Sequence, residues 1–172
     1  MLTAHIRRYG GPEVLEVGQL PEPLPGSRDL LVDVAAASVN PIDFKIRDGK
    51  AKAMLPFRFP LILGNDMSGT VRAVGAAVTR FKPGDRIVAR LGKSRIGAFA
   101  ERALVDEADA AFAPASIDLV DAAALPLAGL TAWQALFEMG QLAPGQRLLV
   151  HAGAGGVGHF RCNSGAGKGR AC

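Results

Sequence analysis

The six residues Gly153-Ala154-Gly155-Gly156-Val157-Gly158, directly after the apolar run Leu148-Leu149-Val150-His151-Ala152, constrain this 172-residue chain more than any other segment. The apolar run predicts a short buried strand. The glycines fit the G-x-G-x-x-G turn, in which backbone N–H groups can approach a pyrophosphate because no Cβ stands in the way. Such a turn ordinarily opens a helix. The residues from Arg161 to Cys172 have no apolar periodicity and hold three glycines, a composition that predicts no amphipathic helix there.

Charge marks the same boundary. The net charge of +4 at first suggests nucleic acid, but Arg161, Lys168 and Arg170 stand in a tail without acids, which leaves 17 basic and 16 acidic side chains in the body up to Phe160. Interspersed charges of both signs describe a solvated surface rather than a phosphate-binding stripe. Both cysteines, Cys162 and Cys172, also fall in the tail, so the body carries neither a disulfide framework nor a thiolate zinc site. With 49% hydrophobic residues the chain can bury a core. The first residues form no continuous apolar signal segment and no stretch nears the ~18 apolar residues of a membrane span. A cytoplasmic protein, with no nucleic-acid or membrane partner, is the expectation.

Up to about residue 115 the pattern is all-β. Strands are predicted at Ala4–Arg8, Val14–Gln19, Leu30–Ala36, Ser68–Val74, Arg86–Ala89 and Phe99–Val105, separated by turns such as Pro25-Gly26 and Lys82-Pro83-Gly84-Asp85. Short strands at this spacing suggest a barrel or a sandwich. The long connection Arg47–Phe59 reads equally well as a functional loop and as a solvated excursion. From Ser116 the period changes. Ser116 or Asp118 can cap a short helix through Ala124, and Leu127–Met139 predicts a second helix ended by Gly140. Two domains follow: residues 1–120 and 121–160, with 161–172 as a tail.

Five segments occur in order ahead of the glycine turn: Val39-Asn40-Pro41-Ile42-Asp43, Leu63-Gly64-Asn65-Asp66-Met67-Ser68-Gly69-Thr70-Val71, Phe81-Lys82-Pro83-Gly84-Asp85-Arg86-Ile87, Gly97-Ala98-Phe99-Ala100-Glu101 and Ala128-Gly129-Leu130-Thr131-Ala132-Trp133. Together they resemble the zinc-free quinone oxidoreductase branch of the medium-chain dehydrogenase/reductase superfamily. The resemblance implies a GroES-like barrel followed by the first helices, strand and glycine loop of an α/β Rossmann domain, with substrate and nicotinamide meeting between them. It implies NADPH as cofactor, with NADH not excluded, a quinone or an α,β-unsaturated carbonyl as substrate, and allows a homodimer in the full-length protein.

The resemblance also directs attention to particular residues. Zinc-dependent relatives carry a cysteine where this chain has Asn40 and a histidine where it has Asn65. Amides are poor ligands for zinc, so no catalytic metal is expected, and His5, His151 and His159 are dispersed. Without a Lewis acid, hydride transfer to a conjugated acceptor is the natural chemistry, because the product enolate is stabilised by conjugation. Asn40 is the candidate catalytic residue. Its amide could donate to the substrate oxygen or position the nicotinamide ribose, although Asn before Pro also starts turns well. Thr131, Gly153, Gly155, Gly156 and Gly158 are the candidate cofactor-binding residues, with a threonine bonding its own helix as the other reading of Thr131.

The tail admits an explanation from the genetic code. If the Arg161 codon ends in G and Cys162, Asn163 and Ser164 are TGC, AAC and TCG, a shift back by one base reads Val-Gln-Leu, and a glutamine stands at this point of the helix in the family. Residues 161–172 are therefore expected to be an out-of-frame tail. Gly165-Ala166-Gly167-Lys168 departs from a Walker loop at its first glycine and lacks the following Ser or Thr. Taken literally, the chain is expected to bind NADPH poorly and to expose apolar surface around Leu148–Val150. A non-enzymatic GroES-like fragment or interaction module is the alternative reading, and a zinc alcohol dehydrogenase a distant third.

Overall fold

The computed structural model describes residues 1–166 and divides into two units, Met1–Ala124 and the residues from Leu125 onward. The first unit is built on two antiparallel sheets. Strands β1 (Leu2–Ile6), β2 (Leu15–Gln19) and β4 (Leu61–Ile62) form a sheet in the order β2-β1-β4. The larger sheet takes β3 (Asp29–Ala37), β5 (Asp66–Val74), β6 (Arg86–Arg90), β7 (Arg102–Asp106) and β8 (Ala110–Phe112) in the order β7-β3-β5-β6-β8. The unit is mainly β, as the turn spacing suggested and as the resemblance to a GroES-like barrel implied.

Burial follows the pleat. In β7 the exposure alternates so that Ala103 and Val105 are buried, and they join Leu30, Val32, Met67, Val71, Ile87 and Leu91 in the core over the larger sheet. Each such aliphatic side chain removed from water contributes about 1.5–3 kcal/mol before its ordering entropy is subtracted. A second cluster, Ile6, Val14, Ile46, Ala51, Leu61 and Leu63, lies under the smaller sheet. The sheet tolerates few changes at Gly69, paired with Val34 and Ile87, where an added Cβ would stand 2.3 Å from the Asp33 carbonyl oxygen.

Four elements of this unit differ from the sequence expectation. Helix α1 (Pro41–Arg47) occupies the stretch that begins with Asn40-Pro41, so the all-β reading missed it. Proline at the first helical position costs nothing, since that N–H would lack a partner anyway. The predicted strand Phe99–Val105 starts at Arg102, with only an isolated bridge between Thr3 and Ala100 before it. β4 and β8, two and three residues long, are too short to show a period. Helix α2 (Leu119–Ala122) is capped by Asp118, whose carboxylate accepts from the Asp121 N–H at 2.8 Å.

The second unit holds α3 (Pro126–Trp133), which continues without a break as a π-helix over Gln134–Met139. Gly140 follows with right-handed φ −81°, and Gln141 rather than the glycine takes the left-handed φ of +47°. The strand predicted at Leu148–Ala152 does not form. Among the described residues nothing pairs with it, and a lone strand satisfies none of its own N–H and C=O groups. Leu149 is correspondingly 82% exposed. Helix α4 (Gly156–Ala166) corrects a second expectation, because it runs through Arg161–Ala166. Once the turn at Gly155 has nucleated a helix that packs on α3, propagation adds one backbone bond per residue and tolerates a sequence of low propensity. The rest of the tail, Gly167–Cys172, lies outside the described residues. No helix among the described residues is long and apolar enough to cross a membrane.

Candidate active-site cleft

Local sequence places two amides and two carboxylates around the start of α1. Asn40 is the N-cap, with extended φ −121° and ψ 157°, and its backbone N–H donates to Asp43 Oδ2 at 2.7 Å. Asp43 thus satisfies a donor that the helix start would otherwise leave unpaired. Its other oxygen, Oδ1, accepts from Asn65 Nδ2 at 2.6 Å. Asn65 sits after Gly64, whose φ of +99° suits glycine and where an added Cβ would stand 2.7 Å from the Phe99 nitrogen. The Asn65 carbonyl in turn accepts from the Leu91 N–H at 2.8 Å, which holds it against the end of β6.

Asp66, fully buried, forms the other half. Its Oδ1 accepts from Ser38 Oγ at 2.6 Å and from Asn40 Nδ2 at 2.8 Å, and Asn40 Nδ2 lies a further 2.9 Å from Ser38 Oγ. Burial raises the Asp43 carboxyl above its ordinary range against the hydrogen bonds from Asn40 and Asn65, and the neighbouring Asp66 carboxylate pushes in the same direction. Two buried acids are thereby covered by two amides.

This arrangement decides what each amide can offer. Asn40 spends its N–H groups on Asp66 and Ser38, so the donation to a substrate oxygen suggested by the sequence would break a bond to a buried carboxylate. Its Oδ1, an acceptor with two lone pairs at the helix start, suits the other reading, acceptance from a hydroxyl. Zinc does not fit these positions, because both amide nitrogens are oriented as donors toward carboxylates and offer a cation no lone pair. Among the described residues no three His, Cys, Asp or Glu side chains gather where one ion could be held.

Beside Asn65 opens a cleft of about 350 Å³ lined by Ile42, Met54, Leu55, Asn65, Arg90 and Lys93. Its apolar wall comes from α1 and from the turns after it, the connection whose role the sequence left open. Sequence reasoning missed Asp43, Asp66, Arg90 and Lys93 as parts of a site. A signal for Asp43 was present: N-cap asparagine with an acid three residues on is capping-box spacing.

In the second unit the candidate cofactor residues have unequal surroundings. The Thr131 hydroxyl donates to the Leu127 carbonyl at 2.7 Å, the bond of an ordinary helix threonine. Gly155 donates its N–H to the Ala152 carbonyl at 2.9 Å, closing the turn. A Cβ on Gly158 would stand 2.2 Å from that same carbonyl oxygen, whereas one on Gly153 or Gly156 would meet nothing closer than 3.8 Å. The open surface over Gly153 and Gly156 and the first turn of α4 fit a pyrophosphate, since the leading N–H groups of a helix have no acceptor within it.

A family model, the alcohol dehydrogenase GroES-like domain, matches residues 26–115, which include both amides and both buried acids. The chain belongs to this family. Within it the chain falls in the quinone oxidoreductase branch of the medium-chain dehydrogenases/reductases. It is 41% identical over 156 residues to a chloroplastic quinone-oxidoreductase homolog of Spinacia oleracea, covering 88% of this chain and 47% of that one. A Pseudomonas syringae quinone oxidoreductase superposes with a TM-score of 0.88 at 36% identity, over 98% of this chain and 50% of the other. Escherichia coli quinone oxidoreductase complexed with NADPH does so with 0.87 at 32%, over 99% and 51%. The chain thus spans about half the length of the family members it matches.

Proposed function

We propose that the cleft beside Asn65 is the acceptor site of an NADPH-dependent quinone or enone reductase that works without a metal. The observation that carries this reading is the pairing of Asn40 and Asn65 with buried carboxylates, which removes both positions from metal binding and leaves a cleft with an apolar side and one amide in its wall. The support for NADPH is the solved relative complexed with it.

When bound, the nicotinamide supplies a hydride, that is, two electrons and one proton to the acceptor carbon, and solvent supplies the second proton to the oxygen. Everything else falls to the chain. Ile42 and Leu55, both half-buried, hold a planar ring in place, and orientation of that kind lowers the barrier without new chemistry. Asn65, held by Asp43 and by the Leu91 N–H, presents a fixed amide to the acceptor. Asn40 Oδ1 is suited to accept from a ribose hydroxyl. Gly153, Gly156 and the start of α4 would hold the pyrophosphate.

Two binding measurements on the 172-residue chain test this. Hydroquinone, the reduced form of the simplest acceptor, is expected to bind by ligand-observed NMR and to lose its signal in Leu55→Arg. No binding to the folded chain would overturn the acceptor-site reading. NADPH affinity by calorimetry is expected to be weaker than micromolar, because no strand among the described residues supports the glycine turn. For hydride transfer itself, measured with NADPH well above its weak affinity, NADPH oxidation with 1,4-benzoquinone should be indifferent to EDTA, and inhibition by the chelator would refute the metal-free mechanism.

A further inference from the structure

The two cations in the cleft are not used by the reading above. Arg90, half-buried at the end of β6, donates from Nη1 to the Leu91 carbonyl at 2.7 Å, and the rest of its guanidinium is uncommitted among the described residues. Lys93 is exposed three residues later. Elsewhere in this unit Arg47, Arg95 and Arg102 are each fastened to a carboxylate within 3.2 Å. No carboxylate among the described residues comes within 4 Å of either cleft cation. Asp66 stands opposite Arg90 in the β5–β6 register, yet its Oδ1 is taken by Ser38 and Asn40.

We propose that Arg90 and Lys93 make this cleft selective for an acceptor that carries a carboxylate beside its quinone or enone carbonyl. This rests on the acceptor-site reading and narrows it to a substrate class. A cavity of about 350 Å³ suits a single substituted ring rather than a long prenylated quinone. Its apolar side takes the ring, and its basic side takes the anion. Arginine is the stronger contributor, since its planar fork matches a carboxylate with two bonds and its half-buried position is screened less than the exposed lysine. The buried Asp43 and Asp66 beneath the cleft oppose an incoming anion, which keeps the expected preference modest at about tenfold, or 1.4 kcal/mol.

The test compares 2,5-dihydroxybenzoate with its methyl ester, an acid and a neutral analogue of one hydroquinone, by calorimetry and ligand-observed NMR on the 172-residue chain. The acid is expected to bind about tenfold more tightly at low ionic strength, with the advantage shrinking in 0.5 M NaCl. In Arg90→Gln/Lys93→Gln, checked for folding by circular dichroism, the advantage of acid over ester should vanish, and Leu55→Arg should abolish binding of both. Equal binding of acid and ester by the parent chain would overturn the proposal and leave the acceptor cleft standing. An acid preference that survives the double substitution would overturn it too. Binding of neither compound would overturn both.

Discussion

Asn40 offers the sharpest test, because the structure gives it a bonding role that can be measured apart from catalysis. Asn40→Ala removes the 2.8 Å donor from Asp66, a side chain with no exposed surface that also accepts from Ser38 Oγ. A hydrogen bond to a charged group contributes about 1.5–3 kcal/mol, and a buried acceptor cannot recover it from water. With a urea slope of about 1–3 kcal/mol/M, a loss of about 2 kcal/mol lowers the denaturation midpoint by roughly 1 M. The probe must be far-ultraviolet circular dichroism of the strands, since the only tryptophan, Trp133, lies in the second unit. Asp66→Asn supplies the other side of a double-mutant cycle. The cycle should return a coupling of about 1 kcal/mol or more, and additivity within about 0.5 kcal/mol would refute the bond and with it the oriented amide.

Three further outcomes follow from named contacts. Gly158→Ala should abolish much of the α4 signal at 222 nm, because its Cβ would sit 2.2 Å from the Ala152 oxygen, whereas Gly156→Ala should stay within about 1 kcal/mol of the parent; equal losses would contradict the steric account. The Asp43 carboxyl is raised by burial, so the folded form holds its proton more tightly than the unfolded chain does. That contribution is complete below the ordinary value of 3.8 and is lost as pH rises through the raised one. Stability of the parent relative to Asp43→Asn should therefore fall from pH 4 upward, and a difference that is flat with pH in urea titrations would refute the assignment. Asp29 shows the opposite sign. Bonds at 2.8 and 2.9 Å from Arg95 hold its carboxyl below the usual range, so Arg95→Gln should cost about 1 kcal/mol at pH 7, discounted for the half-exposed arginine, and nothing once the pH has fallen below the depressed value. A cost that persists in acid by thermal melts would exclude the ion pair.

What was legible in the sequence divides by the range of the interaction that decides it. β3, β5 and β6 were readable because they are short runs rich in Val, Ile, Leu or Ala and their turns carry proline and glycine. α1 was not read, since Asn40-Pro41 starts a turn as readily as a helix and only the acid at Asp43 tips the choice. The strand at Leu148 was read from composition, whereas its formation depends on neighbours, which no local pattern can supply. Conversely, Arg161–Ala166 has poor helical composition and is helical all the same, carried by the turn before it. The amides at 40 and 65 were recognised by likeness as positions unsuited to zinc. The carboxylates beneath them were not, because partners 22 and 26 residues apart meet only in the folded sheet.

Asp43 couples matters that mutagenesis would like to treat separately. One carboxylate fastens the first turn of a helix through Oδ2 and steadies the cleft amide through Oδ1. Redesigning the acceptor pocket at Asn65 therefore also loosens the helix that carries Ile42, and recapping the helix retunes the pocket. Libraries that vary positions 40, 43 and 65 together should yield working variants that single-site scans never encounter.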